Sequence, residues 1–223
     1  MRVPLHWRGP GVLDGVIDWW HRLSGLPDND RFLYPTGRFR VEGKEHDGRP
    51  LAFTGTPGTG LGNLEASALL ALRTDPDGGA VALAGRIDLP TGSGPYASAG
   101  AHGALQVVAA LPLARGLDVY SGLGATVSTR DTRDGIDYEK LRAHGFLVLE
   151  WRPSSRLSLL AEANGSSRLV TNVLGYKPLQ LHLRIGAKLD LGPRTRLEAG
   201  FVEGLSVQNT TDFGVQSAVR VVF

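Results

Sequence analysis

The chain has 223 residues, a formal net charge of +2, thirty Gly, thirteen Pro and no Cys. That length allows one domain that can bury a core or close a barrel, and near-balanced charge without a basic block argues against a nucleic-acid binder. The missing Cys excludes disulfides and thiolate metal sites, and no apolar run reaches the roughly 18 residues of a membrane-spanning helix. Among the cations, twenty are Arg and four are Lys. Arg suits fixed, partly desolvated charge pairs, although a GC-rich genome gives the same skew.

In chain order, "RVPLHWR" at 2–8 reads as a short strand. It lacks the unbroken apolar core of a signal peptide, so an exported protein of this kind is expected to carry its leader, and further strands, upstream. Next, "GVLDGVIDWWHRLSG" sets Val12, Leu13, Val16, Ile17, Trp20 and Leu23 at helical spacing between Pro10 and Gly25. This predicts an amphipathic helix at about 11–24 inside a long N-terminal connection. Packing across a barrel end is the plainer role for it, preferred over a lid, although Trp7, Trp19 and Trp20 also suit a bilayer anchor. "GRFRVEGKEHDGRPLAFTG" predicts a hairpin about Asp47-Gly48, with strands near 37–45 and 49–55.

From residue 61 onward, nine alternating segments follow, at 61–74, 79–90, 97–113, 115–128, 137–152, 155–165, 178–191, 194–204 and 212–223. Each has one apolar or small parity. Leu179, Leu181, Leu183, Ile185, Ala187, Leu189 and Leu191 form one such set, with Gln180, His182, Arg184, Lys188 and Asp190 between them. Period-two alternation predicts strands, and an unbroken series of them predicts an up-and-down antiparallel sheet. Together with the earlier strands the count is about twelve, an even number, as bacterial outer-membrane barrels require.

A soluble barrel turns its apolar parity inward, and a membrane barrel turns it outward. Three features favour the membrane. Connections alternate between tight (74–79, 113–115, 152–155, 191–194) and long (90–97, 128–137, 165–178, 204–212), as short turns and long loops do on opposite rims of such barrels. Several segments exceed the roughly 9–11 residues that cross hydrocarbon at a tilt. The polar parity holds isolated Arg, Glu, His and Tyr among Ala and Gly, unlike a solvated Lys/Glu coat. Trp151, Tyr96, Tyr138 and Tyr176 near the rims suit interfacial girdles. The last strand, "GVQSAVRVVF", ends on Val219, Val221 and Phe223. An alternating end with a terminal aromatic resembles the sorting signal read by the outer-membrane assembly machinery.

The phrases "GVLDGVIDWWHRLSGLPDNDR", "HDGRP", "GLGNLEASALLAL", "LPTGSG", "LVLEWRPSSRLSLLAEANGSS", "PLQLHLRIGAKL", "LEAGFVEGL" and "DFGVQSAVRVVF" together resemble a proteobacterial family of outer-membrane proteins, the one catalogued as domain of unknown function 3187. The resemblance covers nearly the whole chain. It implies a β-barrel in the bacterial outer membrane, with outer-membrane lipid and the assembly machinery as partners. It implies no settled activity.

Chemistry-bearing motifs are few. No nucleophile elbow, P-loop, H-E-x-x-H or dinucleotide fingerprint occurs, and the Gly-rich "GTPGTGLGN" lies between strands without a following helix or Lys, so it reads as a surface loop. His102, His144 and His182 share the polar parity of different strands. No ligand spacing links them, so three separate hydrogen-bonded side chains are the preferred reading. Ser98, Ser121, Ser128, Ser158 and Ser217 have no sequence neighbour that would activate them. No catalytic residue, metal site or cofactor is therefore expected.

The expected lumenal face carries Arg86, His102, Asp118, Arg142, His144, Glu150, Glu162, His182, Arg184, Lys188, Asp190, Arg196, Glu198 and Arg220, with charges paired across the interior. The turn "LGPRT" predicts a register that opposes Leu191 to Thr195, Asp190 to Arg196 and Lys188 to Glu198. The chain thus reads as one domain over 1–223: an all-β, up-and-down transmembrane barrel acting as a structural or surface protein or a narrow channel. An outer-membrane enzyme acting on lipid or peptide, and a soluble ligand-binding barrel, are the alternatives.

Overall fold

The computed structural model describes residues 3–8, 14–25, 40–54, 58–93, 100–129, 132–133, 136–206 and 213–221. Its main element is a nine-stranded antiparallel sheet with consecutive strands adjacent throughout. Before it come β1 (Leu5–Arg8), α1 (Asp14–Ser24), β2 (Arg40–Lys44), β3 (Pro50–Thr54) and β4 (Gly58–Leu61). The sheet itself holds β5 (Leu64–Thr74), β6 (Ala80–Leu89), β7 (His102–Ala114), β8 (Leu117–Ser128), β11 (Leu141–Trp151), β12 (Leu157–Ser167), β13 (Leu179–Gly192), β14 (Thr195–Gly204) and β15 (Phe213–Val221). Between β8 and β11 lies a small hairpin of β9 (Thr132–Arg133) and β10 (Ile136–Asp137).

These nine strands are the nine segments of the alternating pattern. The sheet is open, with β5 and β15 at its edges. The three earlier strands exist but do not join it: β1 pairs with β4, and β2 pairs with β3. Twelve strands in one ring are therefore not what the described residues form.

Register follows the predicted pattern at the "LGPRT" turn in all but its first pair. Asp190 lies opposite Arg196, Lys188 opposite Glu198 and Ile185 opposite Phe201. Thr195, however, faces Gly192, with a bulge between Asp190 and Gly192. The extra residue, Leu191, is absorbed at the strand end, where a bulge re-aims the chain into a tight turn.

Further along that strand pair, Gly186 and Gly200 are directly opposed. A Cβ on Gly186 would lie 2.8 Å from the Ala199 carbonyl oxygen, and one on Gly200 would lie 2.8 Å from that of Ile185. Only hydrogen fits between backbones this close.

Polarity divides the sheet by face. Leu105, Leu123, Leu147, Leu149, Ile185 and Val219 lie on the apolar parity, and all are exposed. Leu123, in mid-strand, is 72% exposed. Among the described residues the buried apolar side chains are Ala82, Val170 and Val202. A soluble barrel would hide its apolar parity, and this sheet does the reverse.

Helix α1 carries Asp14 in its first turn and His21 and Arg22 in its last, complementing the helix dipole. Its Trp20 ring packs on Phe201 of β14, with centroids 4.9 Å apart, which makes it a packing helix. Trp19 is exposed. No described helix is long and apolar enough to cross a membrane.

At the end of the sheet that carries the long connections, other segments gather. The β2–β3 turn has Gly48 at φ 86°, and Asp47 accepts hydrogen bonds from the backbone N and Nε of Arg49 at 3.1 and 2.6 Å. These bonds, the backbone N–H first, hold the Asp47 carboxyl below the usual range. The hairpin docks on the β12–β13 connection: Leu174 N donates to Lys44 O at 2.8 Å and His46 N to Asn172 O at 3.1 Å. On the other side of that connection, Thr171 N donates to Asp137 O at 2.9 Å. The connection is thus held between two strand segments.

Candidate functional site

On the polar face, cross-strand register assembles rungs from residues far apart in sequence. Towards the long connections, one rung runs Glu65, Asp88, His102, Ser128. The next runs Ser67, Arg86, Ala104, Thr126, Arg142. A third runs Leu69, Ala84, Gln106, Gly124, His144, Ser166, Gln180. Because Ala84, Ala104 and Gly124 put little bulk between the longer side chains, the three rungs leave a cleft of about 780 Å³.

His102 and Arg142, His144 and Arg86 all line this cleft. His102 Nδ1 and Ser128 Oγ are hydrogen-bonded at 2.7 Å, and His144 Nδ1 and Thr126 Oγ1 at 3.4 Å. Arg86 is held by two carboxylates: Nε donates to Asp88 at 2.8 Å and Nη2 to Glu65 at 3.0 Å. Arg142 differs. Its Nε is buried without a hydrogen-bond partner, and it makes no ion pair with any described residue. Above it, Gln180 donates to the Tyr176 hydroxyl, and Tyr176 interacts electrostatically with Arg142. Burial pushes the Tyr176 phenol up, so it stays neutral and brings Arg142 no counter-charge.

Towards the tight turns the same face is a closed set of ion pairs. Arg152 pairs with Asp118. Arg184 pairs with Glu162 at 3.2 Å, Lys188 with Glu150 at 3.5 Å, Arg196 with Asp190 at 2.6 Å and Arg220 with Glu198 at 3.8 Å. Glu150 is the most buried of these at 7% exposure. Tyr120 and Ser158 are its hydroxyl-bearing neighbours on the same face.

Of the residues singled out in the sequence, His102, Arg142 and His144 are thus brought together. His182 is not: its rung runs through Asn164 and Gly204, outside the cleft. Glu150, Glu162, Arg184, Lys188, Asp190, Arg196, Glu198 and Arg220 occupy the ion-paired end. Lys188 reaches across β12 to Glu150, although Glu198 is its direct neighbour.

Val219 and Val221 lie exposed on the apolar side of β15, and Phe223 lies outside the described residues. Tyr176, read as a rim aromatic, turns instead to the polar face, where Gln180 holds it. Ser128 has an imidazole hydrogen-bonded to it, His102, that linear sequence did not show. Thr126, Gln106 and Ser166 carry the polar parity and were legible on that basis. Tyr176 comes from a connection, where no periodicity applies.

Among the described residues no group of three or more His, Cys, Asp or Glu is placed to hold a metal ion. In overall architecture the chain is similar to the COG4313 outer membrane channel from Pseudomonas putida F1, at 16% sequence identity and a TM-score of 0.62, over 77% of this chain and 73% of that one. No curated protein matches it. The family described as "Protein of unknown function (DUF3187)" matches residues 1–223, the entire sequence, and the chain belongs to that family.

Proposed function

We propose that this protein is an outer-membrane β-barrel forming a narrow channel for small hydrophilic solutes. The observation that carries this reading is the inverted polarity of the sheet. Large aliphatic side chains cover the exposed face, while the cross-strand ion pairs of the sheet sit on the other, with Glu203 the buried exception. A contiguous apolar surface of this extent needs lipid or protein over it, and a wall alternating in this way separates lipid from an aqueous lumen. The fold shared with an outer-membrane channel supports the same reading.

Closure has a parity condition. In a nine-strand meander the first and last strands, β5 and β15, run in the same direction. An all-antiparallel ring therefore takes an odd number of further strands, and the segment preceding β5 is the source we favour. The ion pairs crossing the polar face would keep the lumen narrow, since charges in a low-dielectric wall are stable when paired.

Expression with a leader in a Gram-negative host, followed by membrane fractionation and planar-bilayer recording, tests this. We expect outer-membrane recovery and small, stepwise conductance. Recovery in the soluble fraction would overturn the barrel, and a large porin-like conductance would overturn the narrow lumen.

One observation favours a second reading, an outer-membrane hydrolase. Ser128 is hydrogen-bonded to His102, and Asp88 lies across the strand pair from His102. A nucleophile, a base and a carboxylate in this order are the parts of an acyl-transfer site. Against it, both Asp88 oxygens are bound by Arg86, so the carboxylate is not free to orient the imidazole. Labelling of Ser128 by a fluorophosphonate probe, lost in Ser128→Ala, would favour the hydrolase.

A further inference from the structure

Arg142 is the exception on its face. Every other strand cation described there has a carboxylate: Arg86 has two, and Arg184, Lys188, Arg196 and Arg220 have one each. Arg142 has none, its Nε is buried, and the group of the β12–β13 connection that interacts with it, Tyr176, is a neutral phenol. Only the Nε of this half-buried guanidinium is shut off from water, so its remaining N–H groups are free to meet an anion. A cation partly withdrawn from water without a counter-ion costs free energy unless something else supplies the charge.

The groups around it include two imidazoles. Thr126 lies directly opposite Arg142, and His102 and His144 line the same cleft. Each imidazole has its Nδ1 bonded to a hydroxyl. When the hydroxyl donates, Nε2 carries the proton and is left as a donor. The nearest carboxylates, Asp88 and Glu65, are already occupied by Arg86. The remaining wall mixes the polar Ser67, Gln106 and Ser166 with an apolar strip of Leu69, Ala84 and Ala104.

We propose that Arg142, with His102 and His144 beside it, is a binding subsite for a small carboxylate with a compact apolar body, entering from the long-connection rim. A guanidinium fork matches a carboxylate bidentately, and the Leu69–Ala84–Ala104 wall fits the rest of such a molecule better than it fits a phosphate. The inference rests on the channel reading for the solute's route, but not for its binding.

Calorimetry on the detergent-folded full chain, with benzoate as the probe, tests it. Benzoate is expected to bind, Arg142→Gln to weaken binding at least about tenfold, and Arg142→Lys to weaken it less, because the charge is kept and the fork is lost. Arg220→Gln, at the far end, should bind as the unaltered protein does. No benzoate binding, or equal binding by Arg142→Gln, overturns the subsite. Equal binding of benzyl alcohol removes the role of the carboxylate, and tighter binding of inorganic phosphate makes it a general oxyanion site; either overturns the proposal. Benzoate binding without bilayer conductance leaves the subsite standing and removes the channel. Conductance without Arg142-dependent binding does the opposite.

Discussion

The two ends of the polar face are built from the same residue types and arrive at opposite states. Towards the tight turns, each cation finds a carboxylate on its own or a nearby strand, from Arg184 with Glu162 to Arg196 with Asp190. Towards the long connections, two carboxylates converge on Arg86 and leave Arg142 alone beside a cleft of about 780 Å³. The difference is one of allocation. A surplus of acid at Arg86 and a deficit at Arg142 make the first end a closed wall and the second a place that can take a ligand. The apolar face shows no such split in charge pairing: it presents exposed aliphatic side chains along most strands and is covered by helix α1 at Phe201.

The largest effect is expected where both ends are treated alike, on the apolar face. Leu123→Arg places a charge in mid-strand at the most exposed position of β8. It should cost about 2–4 kcal/mol in a bilayer-folding assay. An unchanged folding free energy would remove the lipid from this face.

Within the closed end, Glu150→Gln should come next. It deprives Lys188 of its partner beside a buried position, costing roughly 1–3 kcal/mol as for a buried polar group left without its charged partner. Urea unfolding of the refolded protein measures it, and a neutral result would mean that the closed end is not held by its charges.

A smaller term is the coupling between Glu162 and Arg184, which are directly opposed. A double-mutant cycle with Glu162→Gln and Arg184→Gln should give about 0.2–1 kcal/mol, as for other cross-strand ion pairs. Zero coupling would show that register alone places them together.

The smallest stability effect is expected at the open end. Arg142→Gln breaks no ion pair with a described residue and removes a buried Nε that has no partner, so it should leave stability unchanged or slightly raised while weakening carboxylate binding at least about tenfold. Destabilisation as large as that of Glu150→Gln would mean that Arg142 has a structural partner and that the contrast between the two ends is false.

Much of this was legible in the sequence, for a simple reason. Strand alternation is local, so the nine segments, their faces and the turn register at "LGPRT" follow from neighbouring residues. The opposition of Asp190 and Arg196, or of Ile185 and Phe201, needs only a two-stranded count from a tight turn. Helix α1 was likewise readable from the spacing of Val16, Trp20 and Leu23.

What local pattern could not decide was how strands several places apart combine. Lys188 chooses Glu150 over its direct neighbour Glu198 because a long side chain reaches across β12. Ser128 meets His102 only through the β7–β8 register, and Tyr176 turns to the polar face because its connection is held between the β2–β3 hairpin and Asp137. Sequence determined which face each side chain takes, since that depends on a period of two. Only tertiary structure decided which charges are shared, because the cross-strand register brings Glu65 and Asp88 to Arg86 and no described carboxylate to Arg142.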